Sequence, residues 1–317
     1  MKAAVLHRFR EPLRLEDVAS PSASGDAVVV QVRAAGVCRT DLHIVDGRFP
    51  DLPLPRILGH EIAVHAPGVG DALVFASWGC GSCLFCRRGD EQLCPDAHEP
   101  GWYTDGGYAE ALLVPSARYL LPLRGLDPAG AAPLADAGVT PYRAVARARA
   151  WLDEGTNAVV IGAGGLGQFA IQYVKLLSRA TLVVVDPDPT KRRRALQLGA
   201  DVAAAPDETL PRASVVFDFV GSDDTLRAGA RILERGGLLV LVGEAGGSLP
   251  VRFGNFPHEA HVTTSVWGSR SDLEAVLALA RDGRLRWDVE CLPLGSVNTA
   301  LDRLRRGDVS GRLVVVP

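Results

Sequence analysis

The sequence has little of several features that define specialised classes of protein. Aromatic residues make up only 6% of its 317 positions, and there are one methionine and three lysines. Neither sign of charge dominates, since 34 Lys and Arg face 37 Asp and Glu for a formal net charge of -3. A chain without a basic excess is not typical of nucleic-acid or membrane-surface binders, so we expect neither as a partner.

Internal repeats and low-complexity segments are also missing, and 47% of the residues are hydrophobic. This composition excludes wholesale disorder and collagen-like or coiled-coil fibres. A chain of 317 residues is longer than one hydrophobic core usually serves, so its length predicts two domains.

No long apolar run marks a targeting or membrane segment. The N-terminal sequence meets Arg8, Arg10 and Glu11 before an apolar core can form, so we expect no signal peptide. Residues 155–174 carry no charge and are numerous enough for a membrane span. They include five glycines, however, and their order suggests a strand, a glycine turn and a helix. We therefore expect a cytoplasmic protein in which this stretch is a buried nucleotide-binding unit.

Two sequence textures divide the chain. Up to about residue 135, short apolar runs alternate with Gly and Pro, which predicts a mainly β region with long loops. From about residue 140 to about residue 266, strands and helices alternate, which predicts βαβ units around a parallel sheet. From about residue 267 the character is mixed again, up to a last apolar strand. The predicted elements are helices at 141–152, 166–177, 190–198 and 225–233, and strands at 158–161, 181–186, 215–219, 238–242 and 313–316.

A glycine-rich turn, G-A-G-G-L-G at 162–167, follows the first of the alternating strands. Its first glycine allows a tight turn, the second lets the backbone approach a pyrophosphate, and the third permits close packing of helix on strand. The helix N-terminus then offers N–H donors to the phosphates. This pattern predicts a dinucleotide site.

The next strand ends at Asp186, whose carboxylate would hold the adenosine ribose hydroxyls. A carboxylate there repels the 2′-phosphate of NADP and so favours NAD. The basic run at 191–194 could neutralise that phosphate, which leaves NADP as the alternative. The cofactor-binding residues predicted on this side are Gly162, Gly164, Gly165, Leu166, Gly167, Asp186 and Lys191.

Four of the six cysteines fall within 15 residues, as Cys80, Cys83, Cys86 and Cys94. Four thiolates at such spacing suit a closed tetrahedral zinc whose binding orders the loop that carries them. Such a site has no open position for chemistry, so we predict a structural zinc. An iron–sulfur cluster also uses four cysteines. A nucleic-acid-binding zinc ribbon is a further alternative, although no basic and aromatic face surrounds the motif.

Cys38 and His60 lie apart from this cluster. Cys38 opens C-R-T-D-L-H at 38–43, and His60 lies in G-H-E at 59–61. A lone Cys or His is usually part of a core, but a catalytic zinc takes three protein ligands of such types and keeps a fourth position open. Beside a nucleotide fold and a cysteine cluster, the two residues predict a second metal site.

These motifs resemble those of the medium-chain, zinc-dependent alcohol dehydrogenases, and the resemblance covers essentially the whole chain. It extends to D-A-G-V-T at 136–140 and G-R at 311–312. The resemblance implies an α/β fold: a doubly wound parallel Rossmann domain at 139–266, inserted into a mainly β, GroES-like catalytic domain at 1–138 and 267–317. It also implies a homo-oligomer, a tetramer or else a dimer, that uses NAD and two zinc ions per chain.

The resemblance further implies which residues hold the catalytic zinc. Cys38, His60 and Asp136 match its ligands, and Glu61 matches an acid that replaces water or approaches the metal. Zinc is a Lewis acid that lowers the pKa of a bound alcohol. The nicotinamide then accepts the hydride, while the protein positions both partners.

Roles in proton transfer and cofactor binding follow from the same resemblance. Thr40 contacts the substrate oxygen and passes its proton through the cofactor ribose to His43, whose ordinary pKa suits this task. Asp41 orients the His60 imidazole, although the pair at 40–41 could also be a simple helix cap. Thr140 touches the nicotinamide, and Arg312 reaches the pyrophosphate.

We therefore expect an enzyme that transfers hydride between a primary or secondary alcohol and NAD, giving an aldehyde or ketone. A polyol or amino-alcohol dehydrogenase of the same superfamily is the alternative. A non-catalytic dinucleotide-binding protein and a zinc-free quinone reductase are disfavoured by the complete metal-binding sets. Trp78, Trp102, Tyr103 and Trp267 are candidates for an apolar substrate pocket, and each is equally interpretable as core.

Three departures from the family pattern stand out. Gly70-Asp71 follows His60 by only ten residues, which predicts a trimmed loop or hairpin. Ala63 lies where the family prefers glycine. The stretch before Val215 is abbreviated, which predicts the loss of a helix from the nucleotide domain.

Overall fold

The computed structural model describes residues 1–254 and 256–317. Its strands are β1 (Lys2–Leu6), β2 (Arg14–Asp17), β3 (Val28–Val37), β4 (Arg56–Ile57), β5 (Glu61–Ala66), β6 (Gly70–Val74), β7 (Ala111–Val114), β8 (Leu120–Pro122), β9 (Asn157–Ile161), β10 (Thr181–Val185), β11 (Val202–Ala204), β12 (Ala213–Asp218), β13 (Leu233–Leu241), β14 (His261–Thr264), β15 (Val289–Pro293) and β16 (Arg312–Val316). Its helices are α1 (Arg39–Val45), α2 (Leu84–Arg87), α3 (Pro128–Ala131), α4 (Val139–Arg147), α5 (Gly167–Leu177), α6 (Pro189–Gln197), α7 (Asp223–Ile232), α8 (Arg270–Arg281) and α9 (Val297–Arg306).

The chain forms two compact units, one of Met1–Val139 with Gly268–Pro317 and one of Thr140–Trp267. The first unit holds a three-stranded sheet in the order β2-β1-β4. Its second sheet has seven strands, in the order β15-β16-β3-β5-β6-β8, with β7 also paired to β3. Every strand pair is antiparallel except β15 with β16. The mainly β character predicted for this part of the chain is confirmed.

The pairing of β3 with β5 positions the first unit's polar residues. Gly36, near the end of β3, is in register with Glu61, the first residue of β5. The residues just outside these strands, Cys38 and His60, are therefore brought to the same edge of the sheet. Apolar side chains of β1, β3, α1 and α9 pack into one core beneath them, including Leu6, Val37, Ile44 and Leu301.

The second unit is a six-stranded parallel sheet in the order β11-β10-β9-β12-β13-β14. Helix α5 connects β9 to β10, α6 connects β10 to β11, and α7 connects β12 to β13. The side chains of β9 and β10 are almost continuously buried, as expected for strands of a parallel sheet. This is the doubly wound parallel sheet that the sequence predicts.

Two abbreviated connections are visible in the described chain. Residues 205–212 run from β11 to β12 without a helix, as predicted, and the partly buried Leu210 packs on the core there. The hairpin between β5 and β6 has a connection of only three residues, 67–69, in agreement with the predicted trimming.

Some predicted boundaries are wrong. Helix α4 begins two residues early and ends at Arg147, where a 3-10 turn at Arg149–Trp151 follows. In that turn Trp151 donates its Nε1–H to the carbonyl oxygen of Gly236, at 2.8 Å. Strand β13 begins at Leu233 rather than 238 because Leu233 also pairs with Ala213, across a register shift that periodicity does not reveal.

None of the described helices is both long and apolar enough to cross a membrane. The uncharged stretch at 155–174 is instead β9, the glycine turn and most of α5.

Candidate active site

Four side chains with metal-binding atoms meet where β3 ends and β5 begins. Cys38, His60, Glu61 and Asp136 are buried, and each offers one ligand atom within 4.8 Å of the others. Oδ2 of Asp136 lies 3.4 Å from Sγ of Cys38 and 3.6 Å from Nε2 of His60. The structure thus brings together the three ligands that the resemblance implies, with Glu61 beside them.

The chemistry of this donor set fits a divalent zinc. Burial raises the pKa of the Cys38 thiol, and the Asp136 carboxylate raises it further. Burial lowers the pKa of His60, but the carboxylates of Asp41 and Asp136 outweigh this and raise it well above its usual value. Buried acidic groups at such distances require a compensating cation. Sulfur, nitrogen and oxygen donors together are those that zinc takes in catalytic sites.

Asp41 fixes two of the three segments that carry the metal-binding residues, those of Cys38 and His60. Its Oδ2 accepts hydrogen bonds from the backbone N–H of Cys38 at 2.9 Å and from the Tyr108 hydroxyl at 2.8 Å. Its Oδ1 accepts from the backbone N–H of Gly59 at 3.3 Å and lies 3.5 Å from Nδ1 of His60. The carboxylate is fully buried, so it is suited to orient the imidazole and also caps α1.

Helix α1 carries the two residues predicted to handle the substrate proton. Oγ1 of Thr40 lies 3.7 Å from Sγ of Cys38, which places the hydroxyl beside the metal-binding cluster. His43 is buried and lies three residues further along, on the same face of the helix.

The four-cysteine motif forms a second cluster in the first unit. The Sγ atoms of Cys80, Cys83, Cys86 and Cys94 all lie within 4.8 Å of one another. Backbone N–H groups point at the sulfurs, from Cys83 to Cys80 and from Cys86 to Cys83, both at 3.4 Å. A hydrogen bond from Ser82 is the largest cause that lowers the pKa of Cys80, to about 6, whereas burial raises that of Cys86 to about 12. Four converging thiols without an acid or imidazole suit a structural metal.

The glycine turn in the second unit has the geometry that a dinucleotide needs. Gly162 has a φ of +89°, which favours glycine. A Cβ on Gly167 would overlap the carbonyl oxygen of Gly162, so the third glycine permits close packing of α5 on β9. A Cβ on Gly164 would meet nothing within 4 Å, which leaves the backbone open to a ligand there.

Asp186 lies at the end of β10 beside this turn. Its Oδ2 accepts a hydrogen bond from the backbone N–H of Ala163 at 2.8 Å, and its Oδ1 accepts from that of Asp188 at 2.9 Å. Lys191 is half-buried in α6. Its neighbour Arg192 donates from Nη1 to the carbonyl oxygens of Asp186 and Pro187, both at 2.8 Å. The Asp186 carboxylate and the Arg192 guanidinium therefore both lie at the end of β10, where the sequence predicts the adenosine ribose of the cofactor.

The comparisons with known proteins agree with these features. Residues 24–125 match the family described as Alcohol dehydrogenase GroES-like domain, and residues 165–282 match that described as Zinc-binding dehydrogenase. The sequence is 38% identical to an NAD-dependent alcohol dehydrogenase of Sulfolobus acidocaldarius, with 99% of each chain covered. It is 36% identical to a D-arabinose 1-dehydrogenase (NADP(+)) of Saccharolobus solfataricus, covering 100% of this chain and 97% of that one. The crystal structure of an alcohol dehydrogenase from Aeropyrum pernix superposes with a TM-score of 0.92 at 34% identity, with both chains fully covered.

The chain belongs to the medium-chain, zinc-dependent alcohol dehydrogenase family. The predicted α/β fold, with its Rossmann and GroES-like domains, is confirmed by the same matches.

Arg312 forms an ion pair with Glu61 that the sequence did not predict. Its side chain is buried, and its Nη2 forms an ion pair with Oε1 of Glu61. Burial raises the pKa of Glu61 to about 7, against the lowering effect of Arg312. Gly36 makes room for this carboxylate, because a Cβ there would overlap Oε2 of Glu61. Contact of Arg312 with a pyrophosphate stays a prediction.

The aromatic residues predicted for the substrate pocket lie in different places. Trp78 is buried next to the four-cysteine cluster, with its ring 6.1 Å from that of Tyr119. Trp102 packs on Phe49 with ring centroids 4.5 Å apart, whereas Tyr103 is exposed. Trp267 is the last residue of the second unit. Thr140, predicted to touch the nicotinamide, is the first residue of that unit and is buried.

Proposed function

We propose that this protein is a zinc-dependent dehydrogenase that transfers hydride between a primary or secondary alcohol and NAD, giving an aldehyde or ketone. The observation that carries the proposal is the buried set of Cys38, His60, Asp136 and Glu61 within 4.8 Å, in a chain that also has the dinucleotide turn. A binding-only protein has no need of such a set. The named relatives of this family support the same reaction class.

Three protein ligands, Cys38, His60 and Asp136, would hold the zinc, whose chemistry when bound is that of a Lewis acid toward the substrate oxygen. Thr40 would receive the hydroxyl proton of the alcohol, since its own hydroxyl lies beside Cys38. His43 would take the proton onward along the same helix face. Asp41 would keep His60 oriented throughout, through its contacts with His60 and with the backbone of Cys38.

A screen of alcohols with NAD, with and without a chelator, tests the reaction directly. We expect NADH formation that the chelator abolishes and that added zinc restores. NADH formation that withstands complete removal of the metal would contradict the proposal.

We expect two zinc ions per chain, which elemental analysis of the purified protein measures. Cys94→Ala should lower the content to one, because three thiols no longer close the tetrahedral site. It should also lower the melting temperature, since structural zinc contributes to folding free energy. Cys291→Ala is the control, because this exposed cysteine lies outside both clusters. Unchanged zinc content in Cys94→Ala would rule out the structural site.

NAD is the cofactor we propose, on the ground that Asp186 lies beside the glycine turn. The name of the Saccharolobus relative includes NADP, and Arg192 next to Asp186 supplies a cation, so NADP is the alternative.

Asp186→Ala should lower the ratio of kcat/KM for NAD over NADP roughly 10- to 100-fold, the value of one or two hydrogen bonds to a charged group. Steady-state kinetics with both cofactors measures the ratio. Asp201→Ala, which removes a carboxylate bonded to Lys175 and Leu182, is the matched control. An unchanged ratio would mean that another group selects the cofactor.

We also propose a homo-oligomer, a tetramer or else a dimer. Strand β14 is an edge of the six-stranded sheet, and Val262 on it and Val266 just beyond it are each 45% exposed. An open edge with apolar side chains favours pairing with another chain. Light scattering coupled to gel filtration measures the assembly.

The cytoplasm is the compartment we propose. All six cysteines are free thiols in the structure, and five of them belong to the two candidate metal-binding clusters. A cysteine must stay unoxidised to bind a metal through its sulfur. Free thiols persist in reducing compartments, whereas oxidising ones favour disulfides.

A further inference from the structure

Tyr108 is a fully buried residue that contacts three chain segments around the metal-binding cluster. Its hydroxyl lies 2.8 Å from Oδ2 of Asp41, in helix α1, and 3.3 Å from the carbonyl oxygen of Gly36, near the end of β3. Its ring lies against Gly59, the residue before His60, since a Cβ on Gly59 would come within 2.6 Å of the ring. The side chain therefore lies between the segments that supply Cys38 and His60.

The backbone of Tyr108 is fixed to its surroundings on both sides. Its N–H donates to the carbonyl oxygen of Leu58 at 3.0 Å, and its carbonyl oxygen accepts from the N–H of Ala4, in β1, at 2.8 Å. The preceding residue, Gly107, donates its N–H to the carbonyl oxygen of Gly59 at 2.8 Å. The hydroxyl is thus placed by a backbone that is hydrogen-bonded to the segment leading into His60.

The Tyr108 hydroxyl donates its single proton to Asp41. Both of its neighbours, the Asp41 carboxylate and the Gly36 carbonyl, accept hydrogen bonds, so the hydroxyl can serve only one of them as a full donor. The shorter contact is the one to the carboxylate, and hydrogen bonds to ionised acceptors are the stronger ones. Burial and the Asp41 carboxylate raise the pKa of Tyr108 well above its usual value, so the proton stays on the phenol.

We propose that Tyr108 is a positioning residue for the catalytic zinc, which acts by holding the Asp41 carboxylate in place. This inference rests on the zinc-dependent function proposed above. Oδ2 of Asp41 accepts from two donors, the Tyr108 hydroxyl and the N–H of Cys38, while Oδ1 lies 3.5 Å from Nδ1 of His60. Without the hydroxyl, Oδ2 would keep only the N–H of Cys38, and the orientation of the carboxylate toward His60 would be less constrained.

Tyr108→Phe tests this role because it keeps the ring against Gly59 and removes only the hydroxyl. We expect the dissociation constant of one zinc to rise about tenfold, as for a lost hydrogen bond to a charged group or a lost partner of a metal-binding histidine. Chelator competition followed by elemental analysis measures both zinc affinities, and His60→Ala, which should lack this zinc, identifies the site. The affinity of the other zinc and the KM for NAD should stay within twofold of the wild-type values.

Tyr119→Phe is the matched control. It removes a hydroxyl from another buried tyrosine of the same unit, one that donates to the carbonyl oxygen of Gly79 at 3.0 Å and accepts from Arg118. Because Gly79 precedes Cys80, any loss of zinc affinity in this variant should concern the four-cysteine zinc. The affinity for the catalytic zinc should not change. An equal loss at both zincs in Tyr108→Phe would indicate a general effect on folding and would overturn the proposal.

A double-variant cycle with Asp41→Asn tests whether Tyr108 acts through Asp41. If it does, Tyr108→Phe should weaken the catalytic zinc less than twofold further once Asp41 is replaced, since coupled residues are not additive. The same tenfold loss in both backgrounds would contradict the proposal. A wild-type protein with only one zinc would instead contradict the proposed catalytic zinc itself. Two zincs with unchanged affinities in Tyr108→Phe would overturn the positioning role alone.

Discussion

His60→Ala should reduce kcat for alcohol oxidation roughly 1000-fold or more while leaving NAD binding nearly unchanged. The imidazole is buried and lies within 4.8 Å of the ligand atoms of Cys38 and Asp136, so its removal leaves two of the three ligands. A catalytic metal contributes several kcal/mol to transition-state stabilisation, and each 1.4 kcal/mol is worth about tenfold in rate. The dinucleotide turn belongs to the other unit of the chain. Steady-state kinetics measures kcat, elemental analysis shows whether the zinc is lost, and quenching of protein fluorescence by NADH measures cofactor binding.

His65→Ala is the matched control for this variant. It removes a histidine from β5, the strand that His60 immediately precedes, but its side chain is exposed and its Nδ1 pairs with Oδ1 of Asp71 at 2.8 Å. We expect wild-type zinc content and activity. If His60→Ala lost one zinc but kept kcat within a few-fold of wild type, the metal would have no part in the reaction.

Local motifs made the dinucleotide turn and the four-cysteine cluster predictable from sequence. In both, the functional residues lie within a short stretch, so their spacing alone largely determines their geometry. The turn at 162–167 follows β9 and opens α5, and the four sulfurs converge within a 15-residue segment. A short backbone segment has few conformations that bring all the residues of such a motif together, so the motif itself predicts the geometry of the site.

The catalytic cluster depends on contacts that spacing does not encode. Cys38 and Asp136 are 98 residues apart, and only a family resemblance joined them before the structure was known. Tyr108 bonds Asp41 from another segment, and no motif marks it.

Residues 251 apart also form the buried pair of Arg312 and Glu61, whose disruption should have the largest effect on stability. At a pH above the Glu61 pKa of about 7, Arg312→Met should lower the free energy of unfolding by about 3–5 kcal/mol, because it removes the cation that offsets this buried carboxylate. The double variant Arg312→Met/Glu61→Gln should recover most of this loss, since no charge is then left unpaired. Denaturant unfolding followed by circular dichroism measures all three proteins, each at matched zinc content.

An exposed pair on the neighbouring strand provides the control. Arg303 contacts Glu290 of β15 through two hydrogen bonds, at 2.5 and 2.8 Å, yet half of the Glu290 side chain is in solvent. Arg303→Met should therefore have little effect on stability, because water replaces the lost partner. The difference in unfolding free energy between Arg312→Met and Arg303→Met would then result from the burial of the first ion pair and not from its geometry. A loss in Arg312→Met no larger than in Arg303→Met, or a double variant no more stable than the single one, would show that Glu61 does not need Arg312 to remain charged inside the fold.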